Sequence, residues 1–342
     1  MDQDPQAAQS AFAAGVAAFE RGDHAAATAH FAHALQADPR NADAHHYIGG
    51  IAFRAGRLRE ALQEFEAACR CAPAGAQYHF DAAVANWQLG DLGAARRCVE
   101  TALSLAPELN FAIGLLSTLT FSGPPYLDLL AAIHAHLRPR TYVEIGVADG
   151  ASIALALPGT RAIGVDPAPR IAKPLGPYVS IRAMKSDDYF AAHDVAGDLG
   201  GLPIDLAFID GMHQFEFALR DFINIERHCA PRSTILIHDV YPVTRLSAER
   251  EQHTGFWSGD IWRLVLILRK HRPDLSLNVI ATGPTGLAVV RRLDRGSTVL
   301  SERYEDIVRE YLALDYSVLD ADKAGMLALY PNDWTKIATL LA

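Results

Sequence analysis

Residues 141 to 157 read TYVEIGVADGASIALAL: a short apolar run ending in an acid and a glycine, a tight loop closed by a second glycine, then a helix-like pattern. A run this short, carrying Thr, Tyr, Val and Ile, suits a buried strand, and Gly146 and Gly150 suit the turn that leaves it. A dinucleotide site would place G-x-G-x-x-G here so that bare backbone approaches a pyrophosphate. This loop is instead E-x-G-x-x-x-G, with Glu144 before it and Asp149 inside it. Carboxylates repel phosphate, so the loop predicts a ligand with a positively charged part.

Outward from this stretch, the chain from residue 124 alternates β-rich runs with helical stretches, the pattern of a mainly parallel sheet covered by helices. Seven strands are expected, at 141–146, 161–166, 179–184, 205–210, 233–239, 275–281 and 287–293. In an open α/β sheet the ligand crevice lies beyond the carboxyl ends of the strands. Glu144, Asp166, Asp210 and Asp239 would all be delivered to that rim. Residues 297–342 read as helical, with YEDIVREYLALDY apolar at helical spacing, and are expected to form a C-terminal cap or a dimer contact.

The first third repeats itself. Pro39, Pro73 and Pro107 lie 34 residues apart, and Gly22, Gly56 and Gly90 keep that interval. Small residues recur in step at Gly15, Gly49 and Ala83, and large ones at Phe31, Phe65 and Val99. Units at 8–41, 42–75 and 76–109 therefore resemble tetratricopeptide repeats, with residues 110–121 as the helix that covers the last one. SGPP at 122–125 marks the boundary. Such a helical solenoid offers a groove to a protein partner, or serves as a packing and dimerisation element. The histidines here, including His30, His33, His45 and His46, have no ligand geometry.

An acidic loop after the first strand, with Asp166 at the end of the second, resembles a class I S-adenosylmethionine-dependent methyltransferase over 124–293, with 294–342 as an extension. The cofactor carries an ammonium and a sulfonium but no phosphate. TGPTG at 282–286 matches the antiparallel hairpin that separates this Rossmann-like fold from dinucleotide-binding sheets. DLAFIDGMHQFEFALRDF followed by ILIHDVYP is similar to the branch that includes macrocin-type O-methyltransferases and cephalosporin hydroxylase-like proteins. The resemblance implies that Glu144, Gly146 and Gly150 form the methionine-side loop, that Asp166 holds the ribose, and that Ser186 and Asp187 sit near the adenine. The plainer readings are a strand-to-helix turn whose acids cap a helix, and a helix cap at Ser186 and Asp187.

Methyl transfer to a hydroxyl needs alignment and a base. His213, three residues past Asp210, is the candidate base, unless it only caps or packs a helix start. Asp210 and Asp239, with His238 beside them, also form a set that can hold a divalent cation. Similar proteins of the branch present an acidic pair where this chain has His238 and Asp239. Magnesium prefers oxygen ligands and imidazole suits softer ions, so the substitution weighs against magnesium. The long stretch 240–262 is expected to be a lid, with Tyr241, Arg245, His253, Trp257 and Trp262 as acceptor contacts or packing anchors.

A net charge of -9 over 342 residues argues against nonspecific binding to nucleic acid or anionic membranes. Cys69, Cys71, Cys98 and Cys229 have no metal-ligand spacing, the amino-terminal stretch is acidic where a signal peptide is basic, and no apolar run approaches a membrane span. These features predict a soluble cytoplasmic protein. The predicted activity is S-adenosylmethionine-dependent methyl transfer to a hydroxyl of a small molecule or glycan. The rivals are a protein methyltransferase recruited through the repeats and a non-catalytic repeat scaffold. DGMH, where an amide-methylating enzyme would carry a motif like N-P-P-Y, weakens one protein-acceptor class.

Overall fold

The computed structural model describes residues 5–342, so the acidic start at Asp2 and Asp4 lies outside it. The chain divides between Leu119 and Thr120 into two compact units. The first is all helical: α1 (Pro5–Glu20), α2 (His24–Ala37), α3 (Ala42–Arg54), α4 (Leu58–Cys71), α5 (Ala76–Gln88), α6 (Leu92–Leu105) and α7 (Asn110–Thr120). Helices α1 and α2, α3 and α4, and α5 and α6 pack as pairs. Gly22, Gly56 and Gly90 close the first helix of each pair with φ of 79°, 72° and 83°, the left-handed turn that glycine makes without strain. Asp23 and Asp91 then cap the second helix, accepting from the amides of Ala26 and Ala94 at 3.0 and 2.8 Å.

Each pair closes by a small residue receiving a large one. A Cβ on Gly15 would lie 2.6 Å from the Phe31 ring, and one on Gly49 would lie 2.7 Å from the Phe65 ring. In the third pair Ala83 and Val99 occupy those positions, and both are fully buried. A methyl group has been gained on one side of the interface and ring volume given up on the other.

The second unit starts with α8 (Tyr126–Leu137) and runs through β1 (Thr141–Ile145), β2 (Arg161–Val165), β3 (Val179–Arg182), α9 (Ser186–Ala192), α10 (Val195–Asp198), β4 (Ile204–Ile209), α11 (Phe215–Glu226), β5 (Cys229–His238), α12 (Trp262–His271), β6 (Ser276–Ile280), β7 (Leu287–Arg291), α13 (Val299–Glu302), α14 (Tyr304–Leu312), α15 (Lys323–Met326), β8 (Leu329–Tyr330) and α16 (Trp334–Leu341). The strand order is β3-β2-β1-β4-β5-β7-β6-β8. Strands β1 to β5 pair in parallel, and β7 runs antiparallel between β5 and β6, as the TGPTG hairpin predicts. The order reverses between β1 and β4, which sets the ligand crevice at their carboxyl ends.

Two expectations are corrected. The sheet has eight strands among the described residues, not seven: Leu329–Tyr330, inside a stretch expected to be helical, pairs with Val279–Ile280 of β6 and covers what would be an open edge. Two residues are too short a run to show a strand period. The helix expected after the glycine loop is a single 3-10 turn, Ile153–Leu155, because Pro158 disfavours helical geometry at the residue before it and Ser152 is engaged elsewhere. The core joins Tyr142, Leu206, Phe208 and Leu236 of the central strands to Leu129 and Ile133 of α8 and to Ile337 and Leu341 of α16. No described helix is long and apolar enough to cross a membrane.

Candidate active site

The loop after β1 is built around Gly146. Its φ is 88°, its amide bonds the Val165 carbonyl at 2.9 Å, and an added Cβ would lie 2.0 Å from the carbonyl oxygen of Asp210. Only glycine lets β1 and β4 leave the sheet this close together. Asp166, just past β2, folds its carboxylate under the loop: Oδ2 accepts from the amides of Val147 and Ala148 at 3.0 and 2.9 Å, and Oδ1 from Ala168 at 2.7 Å. An ionised carboxylate offers about four acceptor positions, so three are filled and one is free. The amides of Arg170 and Ala172 bond the carbonyls of Ala148 and Asp149, which fixes the far side of the loop.

Glu144 is fully buried beneath this loop and accepts from the Tyr142 hydroxyl and the Ser152 hydroxyl, each at 2.6 Å. Burial raises its pKa to about 8 despite those two bonds. It braces the loop from below, and Ser152 is its link to the turn.

The second half of the site gathers at the ends of β4 and β5. Asp210, His213, His238 and Asp239 meet there. His213 Nε2 lies 3.0 Å from Asp239 Oδ2 and 3.8 Å from Asp210 Oδ1. His238 Nδ1 lies 3.1 Å from Asp210 Oδ1 and 3.5 Å from Asp239 Oδ2, and its ring stacks on Tyr126 at 4.1 Å. Burial alone would lower the His238 pKa, but Asp210 and Asp239 outweigh it and hold the ring well above its ordinary value. Burial would likewise raise Asp239, and the charge of His238 outweighs it downward. Asp239 adopts φ of 61°, unusual for a non-glycine residue, and is held there by the Thr285 hydroxyl at 2.6 Å.

Beside the expected set of Asp210, His238 and Asp239, this geometry offers a second. The atoms that can converge on an ion belong to Asp210, His213 and Asp239, all within 4.8 Å of one another. His238, expected as a ligand, has its Nδ1 3.1 Å from Asp210 and 3.5 Å from Asp239, beside this set. Two carboxylates and an imidazole fit a divalent cation. In this set the cation and the base, expected together, compete for the His213 ring.

The stretch expected as a lid is clamped over His213. Trp257 stacks on the His213 ring at 4.9 Å and donates from Nε1 to the Glu249 carbonyl at 2.6 Å. The Asp260 amide bonds the His213 carbonyl at 3.2 Å, and Gly259 passes so close that a Cβ would lie 1.8 Å from that oxygen. Asp260 is fully buried; it accepts from the Phe215 amide at 2.8 Å, from Arg250 at 2.7 Å and from Arg263 at 2.8 Å. Arg250 continues to Glu216. Of the other lid candidates, Trp262 is buried against Tyr316, Arg245 pairs with Asp315, His253 pairs with Glu249, and Tyr241 packs on Phe121. These four are anchored by packing and ion pairs.

Ser186 and Asp187 lie in the first turn of α9. Asp187 is held by the Arg220 guanidinium at 3.1 and 2.8 Å, and Ser186 bonds Asp221, a buried acid raised to about 7 by desolvation. Both side chains thus serve the contact of α9 with α11. Tyr126, Thr285 and Asp260 carry no motif that marks them in the sequence. The nearest signal is Thr285 inside TGPTG, where it reads only as part of a turn.

A methyltransferase-domain family model matches residues 143–240, and tetratricopeptide-repeat models match residues 2–42, 12–76 and 76–109. No curated protein matches the chain. Among solved structures, the first repeat domain of Spaghetti (RPAP3) bound to an HSP90 peptide is 21% identical, covering 35% of this chain and 94% of that one, with a TM-score of 0.34. The N-terminal domain of stress-induced protein-1 from C. elegans is 21% identical over 34% of this chain and 95% of its own, TM-score 0.31. MamA is 16% identical over 34% and 68%, TM-score 0.32. The chain is thus a set of N-terminal tetratricopeptide repeats followed by a methyltransferase domain.

Proposed function

We propose that the chain transfers a methyl group from S-adenosylmethionine to a hydroxyl of a small molecule or glycan, with His213 as the base. The observation that carries this reading is the His213 ring, held between Trp257 and the buried Asp239 at a rim whose other side is the Gly146 loop. The residues fit the cofactor: bare backbone at Gly146, an acceptor position left on Asp166 for a ribose hydroxyl, and a surplus of carboxylates for a cationic ligand. Bound there, S-adenosylmethionine supplies an electrophilic methyl on its sulfonium. Asp239, 3.0 Å from Nε2, orients His213, whose ring takes the acceptor proton. Trp257 keeps the ring from turning away. A cation on Asp210, His213 and Asp239 is the competing use of the same residues, and it would act by lowering the hydroxyl pKa.

The repeats supply a surface for recruitment. A cavity of about 450 Å3 lined by Phe19, His46, Phe53, Phe65 and Asp81 lies on them, and it supports a second reading in which a protein is brought to the chain there.

Calorimetry with S-adenosylmethionine and S-adenosylhomocysteine, then turnover on a panel of hydroxylated phenols and glycans, tests the proposal. His213→Ala should lower turnover by roughly 10² to 10⁴ with cofactor affinity nearly unchanged. Chelator should leave the wild type active. Absence of cofactor binding defeats the reading outright. Full loss of activity in chelator, restored by divalent ion, transfers His213 from base to ligand.

A further inference from the structure

The opposite end of the sheet holds a second concentration of charge, of the other sign. A cavity of about 710 Å3 lies where the parallel strands begin, among the α8 to β1 junction, the starts of β4 and β5, the end of β7 and the end of α16. Four guanidinium side chains line it: Arg138, Arg140, Arg232 and Arg291. Asp205 is the only acidic side chain among the described residues that do so, and it is already saturated by Arg140, which reaches it from its amide at 2.9 Å, Nε at 3.1 Å and Nη2 at 3.2 Å. Arg138, Arg232 and Arg291 have no carboxylate within ion-pair distance among the described residues.

Arg291 makes the imbalance specific. It is half-buried, spends Nη1 on the Leu340 carbonyl at 2.7 Å, and has an Nε that is shielded from solvent without a partner. Burial and then the nearby Arg232 charge both act against its ionisation. Solvated surface arginines avoid such an arrangement by turning apart or finding an acid, and this chain, at -9, is rich in acids. Four guanidinium groups that line one cavity, against only Asp205 and the carboxyl group of Ala342 as counter-charge, suit a bound oxyanion. The volume falls in the range of about 300–1,000 Å3 that holds small ligands. The chain's overall negative charge opposes a long polyanion, which leaves a compact one.

We propose that this cavity binds a small phosphate ester, at a site separate from the strand-end rim and independent of methyl transfer. Its phosphate would be received by Arg138, Arg232 and Arg291, and the already paired Arg140 would border it.

Titration calorimetry on the full chain, with pyrophosphate, ribose 5-phosphate and citrate as probes, tests the site. Each titration is run with and without S-adenosylhomocysteine, which reports any binding in the cofactor crevice instead. Saturable binding of both phosphate probes is expected, indifferent to S-adenosylhomocysteine and weakening as salt rises. Arg232→Gln and Arg138→Gln, both exposed and free of structural partners among the described residues, should each lower affinity by roughly tenfold. No saturable heat up to about 10 mM, unchanged affinity in both variants, or displacement by S-adenosylhomocysteine overturns the proposal. Tighter binding of citrate makes the ligand a carboxylate, and binding of pyrophosphate without ribose 5-phosphate makes it inorganic phosphate; either result overturns the ester.

Discussion

At Gly146 two strands part with no room for a methyl group between them. Gly146→Ala adds a clash at 2.0 Å to a φ of 88°, so it should destabilise the second unit by more than about 1–3 kcal/mol and abolish cofactor binding, as thermal denaturation and calorimetry would record. Asp166 has a double task. Asp166→Ala removes the acceptor of three backbone amides together with the free acceptor position. Affinity for S-adenosylhomocysteine should fall at least roughly tenfold, and the Val147 and Ala148 amides should exchange faster with deuterium. If affinity falls while those amides stay protected, Asp166 touches the ligand without holding the loop. The acids at strand ends were legible because strand alternation and length place them without any knowledge of the fold. Tyr126 and Thr285 were not, since a stacking ring and a single hydroxyl gain meaning only once β5 and β7 are neighbours.

At the scale of elements, the repeat pairs make a test of packing against conformation. Gly49→Ala should destabilise by about 1–3 kcal/mol through its clash with Phe65. Adding Phe65→Val, which recreates the Ala83 and Val99 combination of the third pair, should recover much of that loss. A coupling energy near zero in the double-mutant cycle, from denaturant melts, would show that glycine is there for another reason. The clamp over His213 depends on one buried acid. Asp260→Ala leaves Arg250 and Arg263 without their shared partner, for an expected cost of about 3–5 kcal/mol, visible as a lowered melting temperature. Six of the seven expected strands have ends within two residues of those observed, while β5 starts at Cys229 rather than 233. The 240–262 segment was recognised as long and unusual, but its fixed state was hidden, because the Arg250, Glu216, Asp260 and Arg263 network spans residues far apart in the chain. β8 was hidden for want of length.

Across the whole molecule, three buried groups pull stability in two directions with pH. Glu144, raised to about 8, binds a proton in the folded state that it has lost in the unfolded chain above its ordinary range, so its contribution declines as pH rises from about 4.3 toward 8. Asp221, raised to about 7, has the same sign. His134, lowered to about 4 by burial, is neutral in the fold where the unfolded chain is protonated, so stability declines as pH falls below about 6.5. Each slope approaches about 1.4 kcal/mol per pH unit. Glu144→Gln should flatten the alkaline side of a melting-temperature profile and His134→Phe the acid side; a Glu144→Gln profile parallel to the wild type contradicts the first. Finally, β8 and α16 have a consequence for how the chain is made. Each repeat pair needs only its neighbours and can form as it leaves the ribosome, N-terminal pair first. The sheet cannot: β6 waits with a bare edge, and the core beneath β1 stays uncovered, until residues 329–341 have emerged. Until those residues emerge, a finished solenoid is tethered to an unfinished sheet, and that interval is when the sheet is most exposed to mispairing.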